Sequence, residues 1–240
     1  MGDMIRAGAA TDVGVVRAGN EDSHLVADGV YVVADGMGGH AAGEVASEVA
    51  VAVAKGLVGR TVKPEDVRAA VLEANAAVLA AARRDPVHRG MGTTLTGLCL
   101  ADFRGTPHWV VFNVGDSRVY RHVDGTLTQL TTDHTELAEL VQAGDISPEE
   151  AVGHPLGNVL TRAIGMTPAP EPDLDVFPVA PPERFLICSD GLTLEVPETA
   201  IAGVLADTDD PGAAAERLVT MAVDAGGRDN VTAVVVDLRR

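Results

Sequence analysis

Runs of strand length, rich in valine and aromatic residues, recur along this chain at about residues 30–35 (VYVVAD), 93–101 (TTLTGLCLA), 108–114 (HWVVFNV), 117–121, 184–189 (RFLICS) and 230–238 (NVTAVVVDL). β-Branched and aromatic side chains fit a pleated, half-buried surface, so this many runs commits the chain to extensive sheet. Several are separated by only a few residues, as in CLADFRGTPHWVV and VYRHVDGTLTQL. Links that short join antiparallel neighbours, because a crossover between parallel strands needs about a dozen residues or more.

Helical periodicity fills the spaces between the runs. Val45, Val49 and Val53 recur at a spacing of four among alanines within 41–58, and Pro64 suits the first turn of a second helix over 64–83. Asp210-Pro211 is a cap and first-turn pair for a third helix, which should end at Gly226-Gly227. A fourth is expected over 134–143. Runs of strands with helices grouped between them predict an α+β fold, a four-layer αββα sandwich of two central antiparallel sheets flanked by helices. The Pro-rich piece TPAPEPD at 167–173 is too short for a linker and no repeat appears, so residues 1–240 are expected to form one domain.

Composition narrows the function. With 46% hydrophobic residues in 240, the chain can build a sizeable core. No apolar run approaches the roughly 18 to 20 residues of a membrane span, and MGDMIRAGAATD lacks the apolar stretch of a secretory signal. A cytoplasmic, monomeric protein is expected. Cys99 and Cys188 sit in apolar stretches as small buried thiols, which argues against a disulfide framework. The formal net charge is −17 with only two lysines, so a phosphate backbone would be repelled and nucleic acid is a poor partner. Such an acidic excess can serve solubility alone; the positions of particular acids decide whether it does more.

Three apolar runs finish alike: YVVADG at Asp35-Gly36, FNVGDSR at Asp116 and FLICSDG at Asp190-Gly191. A fourth acid, Asp229, precedes the last run. A buried strand places its terminal residue accurately, and a following glycine lets a backbone carbonyl approach a cation closely. Carboxylates gathered together repel one another unless a cation neutralises them. Asp-Gly is also a common turn dipeptide, the reading given to Asp28-Gly29 and Asp124-Gly125. Oxygen-only ligation selects hard ions such as Mg²⁺ or Mn²⁺, and no CxxC or HExxH spacing suggests zinc. Arg17, in R-A-G-N-E-D, carries a guanidinium suited to gripping a phosphate, or to pairing with Glu21 or Asp22 at the surface.

Taken in order, R17-A-G-N-E-D, V33-A-D-G-M-G-G-H, G90-M-G-T-T, V114-G-D-S-R, C188-S-D-G-L and R228-D-N-V-T resemble the motifs of the metal-dependent protein phosphatases, the PPM or type 2C family. The resemblance spans nearly the whole chain. It implies hydrolysis of phosphoserine and phosphothreonine in proteins by a water activated between two Mn²⁺ or Mg²⁺ ions, with a third ion in bacterial members. By position, Asp35 resembles the aspartate that bridges two metals, the Gly36 carbonyl a ligand of one, and Asp190 with Asp229 the ligands of the other. Asp116 matches the third-metal residue. Glu21 and Asp22 would act through water held on the metals, and Arg17 would hold the phosphoryl oxygens.

The chain departs from the eukaryotic pattern at Met37, where a histidine leaving-group acid is common; His40 could donate that proton or cap the next helix. Leu194 and Glu195 stand where many relatives carry another Asp. Residues 134–165 resemble the family's mobile flap, which implies a role in choosing substrates. The expected partners are phosphoproteins, among them a Ser/Thr kinase and its substrates. A non-catalytic phosphoprotein-binding module and a regulatory phosphatase dedicated to one partner are the alternatives. Other phosphatase and metal motifs fail: six residues after Cys188 stands Leu194 rather than Arg, Asp173-Leu-Asp175 lies in what reads as a Pro-rich loop, and Asp207-Thr-Asp209 meets Leu218 where a calcium loop needs Glu.

Overall fold

A computed structural model describes residues 5–38, 42–151 and 153–239. Among them one sheet runs β1 (Ile5–Asp12), β11 (Val231–Leu238), β10 (Glu183–Cys188), β7 (Arg118–Val123) and β8 (Thr126–Gln129). The other runs β2 (Asp22–Ala27), β3 (Val30–Met37), β5 (Leu95–Phe103), β6 (Thr106–Val114) and β9 (Asp173–Pro178), with the short β4 (Gly92–Thr93) against β3. Every pairing is antiparallel. Helices α1 (Ala42–Ala54) and α2 (Pro64–Arg84) cover the second sheet, and α6 (Glu198–Asp207) and α7 (Pro211–Ala225) cover the first. The expected four-layer sandwich is the one observed.

Side-chain alternation explains why the central strands look uniformly apolar. In β3, Val30, Val32 and Ala34 face α1 and α2, while Tyr31 and Val33 face the other sheet. In β11, Val231, Ala233 and Val235 face α7, while Val234, Val236 and Leu238 meet the opposite sheet. A strand covered on both faces needs hydrophobic residues at every position, and each large one contributes about 1.5–3 kcal/mol on burial. The same parity turns Asp35, two residues beyond Val33, toward the space between the sheets.

The helix ends follow their capping residues. Asp210 accepts a hydrogen bond from Ala213 N at 2.9 Å, Pro211 stands in the first turn, and α7 stops at Gly226. The helix expected over 41–58 keeps α geometry to Ala54 and tightens to a single 3₁₀ turn over Lys55–Leu57. Cys99 and Cys188 are buried free thiols, and the two Asp-Gly turns form as expected, with Gly29 and Gly125 at φ 74° and 77°.

One expectation fails. Asp173–Asp175 is not loop but the start of β9, paired along β6 from Asn113↔Asp173 to His108↔Pro178. An edge strand has one unpaired side and alternate residues in solvent, so it tolerates the flanking Pro172 and Pro178 that argue against a central one. No helix among the described residues is long and apolar enough to cross a membrane.

Candidate metal centre and active site

All four strand-end acids come to one edge of the sandwich. Asp35 lies on β3, Asp116 just past β6, Asp190 at the start of the short helix α5 (Asp190–Thr193), and Asp229 just before β11. Together with Arg17, Glu21 and Gly36 they line a single cavity of about 520 Å³. Sequence separations of up to about two hundred residues collapse here because β3 and β11 are central strands of facing sheets.

Local backbone contacts hold Asp35, Gly36 and Asp116 in place. Asp35 N donates to Thr94 Oγ1 at 2.9 Å and its carbonyl accepts from Thr93 Oγ1 at 2.9 Å, which locks the backbone and leaves the carboxylate free to turn inward. Gly36 N donates to the Glu21 carbonyl at 3.1 Å, and any Cβ there would collide with the carbonyl oxygens of Gly43 and Glu21. Only glycine lets three backbone segments approach so closely. Asp116 follows Gly115, whose φ of 114° turns the chain sharply out of β6. Arg17 Nη2 reaches Asp229 Oδ2 at 2.7 Å, so its carboxylate partner is Asp229 rather than Glu21 or Asp22.

Asp22 is placed differently from the others. It pairs with Asp35 across β2 and β3 and is not among the residues lining the cavity. Its Oδ2 accepts from Ser189 Oγ and Thr232 Oγ1, both at 2.7 Å, while its Oδ1 is buried with no hydrogen-bond partner. A buried acceptor left unmade is costly, and next to a carboxylate cluster it marks room for a donor such as water on a cation.

Electrostatics describe the same cluster. Burial, opposed by the hydroxyls of Thr232 and Ser189, pushes Asp22 up to about 7. Burial and then the charges of Asp22, Asp190, Asp116 and Asp229 hold Asp35 well above the ordinary range. Burial and Asp190 bring Asp116 to about 7, and burial with Asp229 brings Asp190 to about 6. Carboxylates that reluctantly ionise together are what a divalent cation stabilises, and oxygen donors suit Mn²⁺ or Mg²⁺. Among the described residues no three Asp, Glu, His or Cys side chains already close into a ligand cage. They ring an open cavity instead, with Asp229 engaged by Arg17.

The model of the protein phosphatase 2C family matches residues 17–221. The chain belongs to that family. It is 41% identical over 241 residues to the serine/threonine protein phosphatase PstP of Mycobacterium tuberculosis, covering 98% of this chain and 45% of that protein. The chain therefore spans about half the length of that relative. The serine/threonine phosphatase stp of Listeria welshimeri is 38% identical, with 95% of this chain and 93% of that one covered. A crystal structure of the M. tuberculosis enzyme superposes with a TM-score of 0.92 at 40% identity, over 98% of this chain and 99% of that one. A structure of the PstP catalytic domain in complex with two manganese ions superposes at 0.87, with 38% identity over 98% and 99% of the two chains.

Beside the acids foreseen in the sequence, this type 2C chain relies on polar residues that were not. Asn230 accepts from Glu21 N at 2.8 Å and donates to the carbonyls of Val13 and Gly19 at 2.9 and 3.0 Å, clamping both ends of the loop that carries Arg17. Its signal is a lone amide opening the most apolar strand. Thr94, Ser189 and Thr232 carry no such signal, because a buried hydroxyl looks in sequence like any strand residue. Glu195, at a departure from the family pattern, is buried against Arg228, whose Nε donates to Oε1 at 2.7 Å, so it braces the loop before Asp229. Met37 lines the cavity. His40, the candidate proton donor, lies outside the described residues.

Proposed function

We propose that the chain hydrolyses phosphoserine and phosphothreonine in other proteins, with Mn²⁺ or Mg²⁺ held by Asp35, the Gly36 carbonyl, Asp190 and Asp229, and a third, weaker ion at Asp116. The observation that carries this reading is the convergence of four acids from distant sequence positions on one cavity, three of them pushed up by burial and mutual repulsion. The manganese ions of the PstP catalytic domain support two metals here as well.

Ions bound in this cluster would supply an activated water in line with phosphorus and neutralise the charge of the phosphoryl group. The residues of the chain supply the rest. Arg17, at the cavity wall and within reach of Asp229, would grip the phosphoryl oxygens with its forked donors. Asp22 and Glu21 would accept hydrogen bonds from water held in the cluster and so orient it. Asn230 ties both ends of the loop that carries Arg17 to the start of β11.

The partners are proteins phosphorylated by a Ser/Thr kinase, the kinase itself among them, and the chain acts as a monomer. Two buried free thiols suit a reducing, cytoplasmic setting. The assay is hydrolysis of an aryl phosphate and of phosphothreonine peptides with Mn²⁺. EDTA should abolish both activities and Asp190→Asn should lower kcat by at least about a hundredfold. Turnover that survives EDTA, or an Asp190→Asn protein with normal kcat, refutes the assignment.

A further inference from the structure

At the start of β9, outside the carboxylate cavity, Asp173 faces a buried histidine. His134, which with Thr135 leads into α3 (Glu136–Ala143), is 4% exposed and its Nε2 lies 3.1 Å from Asp173 Oδ2. Burying an imidazole is costly unless both ring nitrogens find partners. The other nitrogen, Nδ1, accepts from the backbone N–H of Gly115 at 3.1 Å.

Gly115 is the residue before Asp116, and His134 holds it at both ends. The backbone N–H of His134 donates to the Gly115 carbonyl at 3.0 Å, and Asn113 Nδ2 reaches the same oxygen at 3.0 Å. Gly115 has a φ of 114°, and a Cβ there would lie 2.5 Å from Thr94 Cγ2, so this turn requires glycine. Glycine is also the residue with the most backbone freedom to lose. Fixing its N–H and its carbonyl together removes that freedom and sets the direction in which the chain enters Asp116. On the far side of Asp116, Ser117 is buried with its hydroxyl 2.8 Å from Thr94 Oγ1. Asp116 therefore projects from between two immobilised neighbours.

The hydrogen bonds also set the tautomer. The Gly115 N–H needs a lone pair on Nδ1, so the ring proton sits on Nε2, where Asp173 accepts it. Arg162 Nη1, 3.3 Å from that nitrogen, gives its own hydrogen to Asp173 Oδ1 at 2.8 Å. The geometry points to His134 as a positioning residue for the ion at Asp116: its ring pins the Gly115 turn and so aims the Asp116 carboxylate, while Asp173 keeps the ring in the tautomer that does this. Carboxylate–imidazole pairs orient metal ligands from behind in the same way, but here the imidazole grips backbone instead of the ion. The assignment rests on the phosphatase reading, which gives Asp116 the third, weaker ion.

The test counts Mn²⁺ bound beyond the two tight sites, from the electron paramagnetic resonance of the free ion, in the unaltered chain and two variants. His134→Asn keeps a polar atom as many bonds from Cβ as Nδ1 is, whereas His134→Gln keeps one only at the reach of Nε2. The Asn variant should hold the third ion within about twofold of the unaltered chain, and the Gln variant should weaken it by about tenfold, the worth of one hydrogen bond. Both should retain the two tight ions. The reverse order, or equal third-ion affinity in all three chains, overturns the role of His134 and leaves the phosphatase reading standing. The ring ¹⁵N spectrum of the unaltered chain gives a reading that no variant's folding can disturb: His134 should carry its proton on Nε2, and a proton on Nδ1 overturns the clamp. A chain that binds no Mn²⁺ at all overturns the phosphatase reading, and the clamp with it.

Discussion

Arg17 and Asp229 show how a functional residue can be recognised before its partner can. The R-A-G-N-E-D motif marks Arg17, but the carboxylate it meets lies at the far end of the chain, 2.7 Å away, because β2 and β11 approach at the same edge. Asp35, Asp116 and Asp190 were legible for a physical reason: strand-end acids followed by glycine or a tight turn interrupt long apolar runs. Asp22 was legible only through family resemblance, since nothing in DSHLVA reveals that its carboxylate sits between two hydroxyls. Asn230 is legible only as one letter of the motif R228-D-N-V-T, because its three side-chain hydrogen bonds are all made to residues some two hundred positions away. If Arg17 grips the phosphoryl group, Arg17→Ala should raise KM by about tenfold, the worth of one charge-assisted contact, and lower kcat less. Steady-state kinetics on a phosphothreonine peptide check this, and an unchanged KM contradicts it.

Among elements, the central strands and the capped helices declared themselves and the edges did not. β3, β5, β6, β10 and β11 are apolar on both faces and read as unbroken runs, whereas β1 (IRAGAATD), β8 (TLTQ) and β9 (DLDVFP) carry exposed residues at alternate or scattered positions. The Pro-flanked β9 reads as loop on that account. α6 went unseen because its cap residue, Pro197, makes no side-chain hydrogen bond to mark the start. The two sheets are tied at the end remote from the site by Glu183, whose side chain is wholly buried; it accepts from Trp109 Nε1 at 3.1 Å and Ala180 N at 2.9 Å and pairs with Arg121. Glu183→Ala strips three donors of their acceptor, and the expected loss is about 3 kcal/mol. Chemical denaturation measures it; a change under about 0.5 kcal/mol, the scale of an ordinary surface substitution, contradicts this view of the joint.

At the scale of the whole molecule, the acids gathered at the proposed metal site are a liability while nothing neutralises them. Asp22 and Asp116 rise from 3.8 to about 7 and Asp190 to about 6, so the folded chain holds protons that the unfolded chain has released. Their contribution to stability is complete below about pH 4 and is lost as pH rises through about 6 to 7. His24 and His122, lowered by burial, act in the opposite sense over part of this window, but they are two groups against the five raised acids Glu21, Asp22, Asp35, Asp116 and Asp190. The melting temperature of metal-stripped protein should therefore fall between about pH 4 and pH 7, and Mn²⁺ should abolish the fall by taking the place of the protons. A stripped protein that grows more stable across that window would count against the cluster. Calorimetric titration of the stripped protein with Mn²⁺ probes the cation cage itself: two saturable sites per chain are expected, at least one of them lost in Asp190→Asn, and a titration with no saturable binding contradicts the proposal outright.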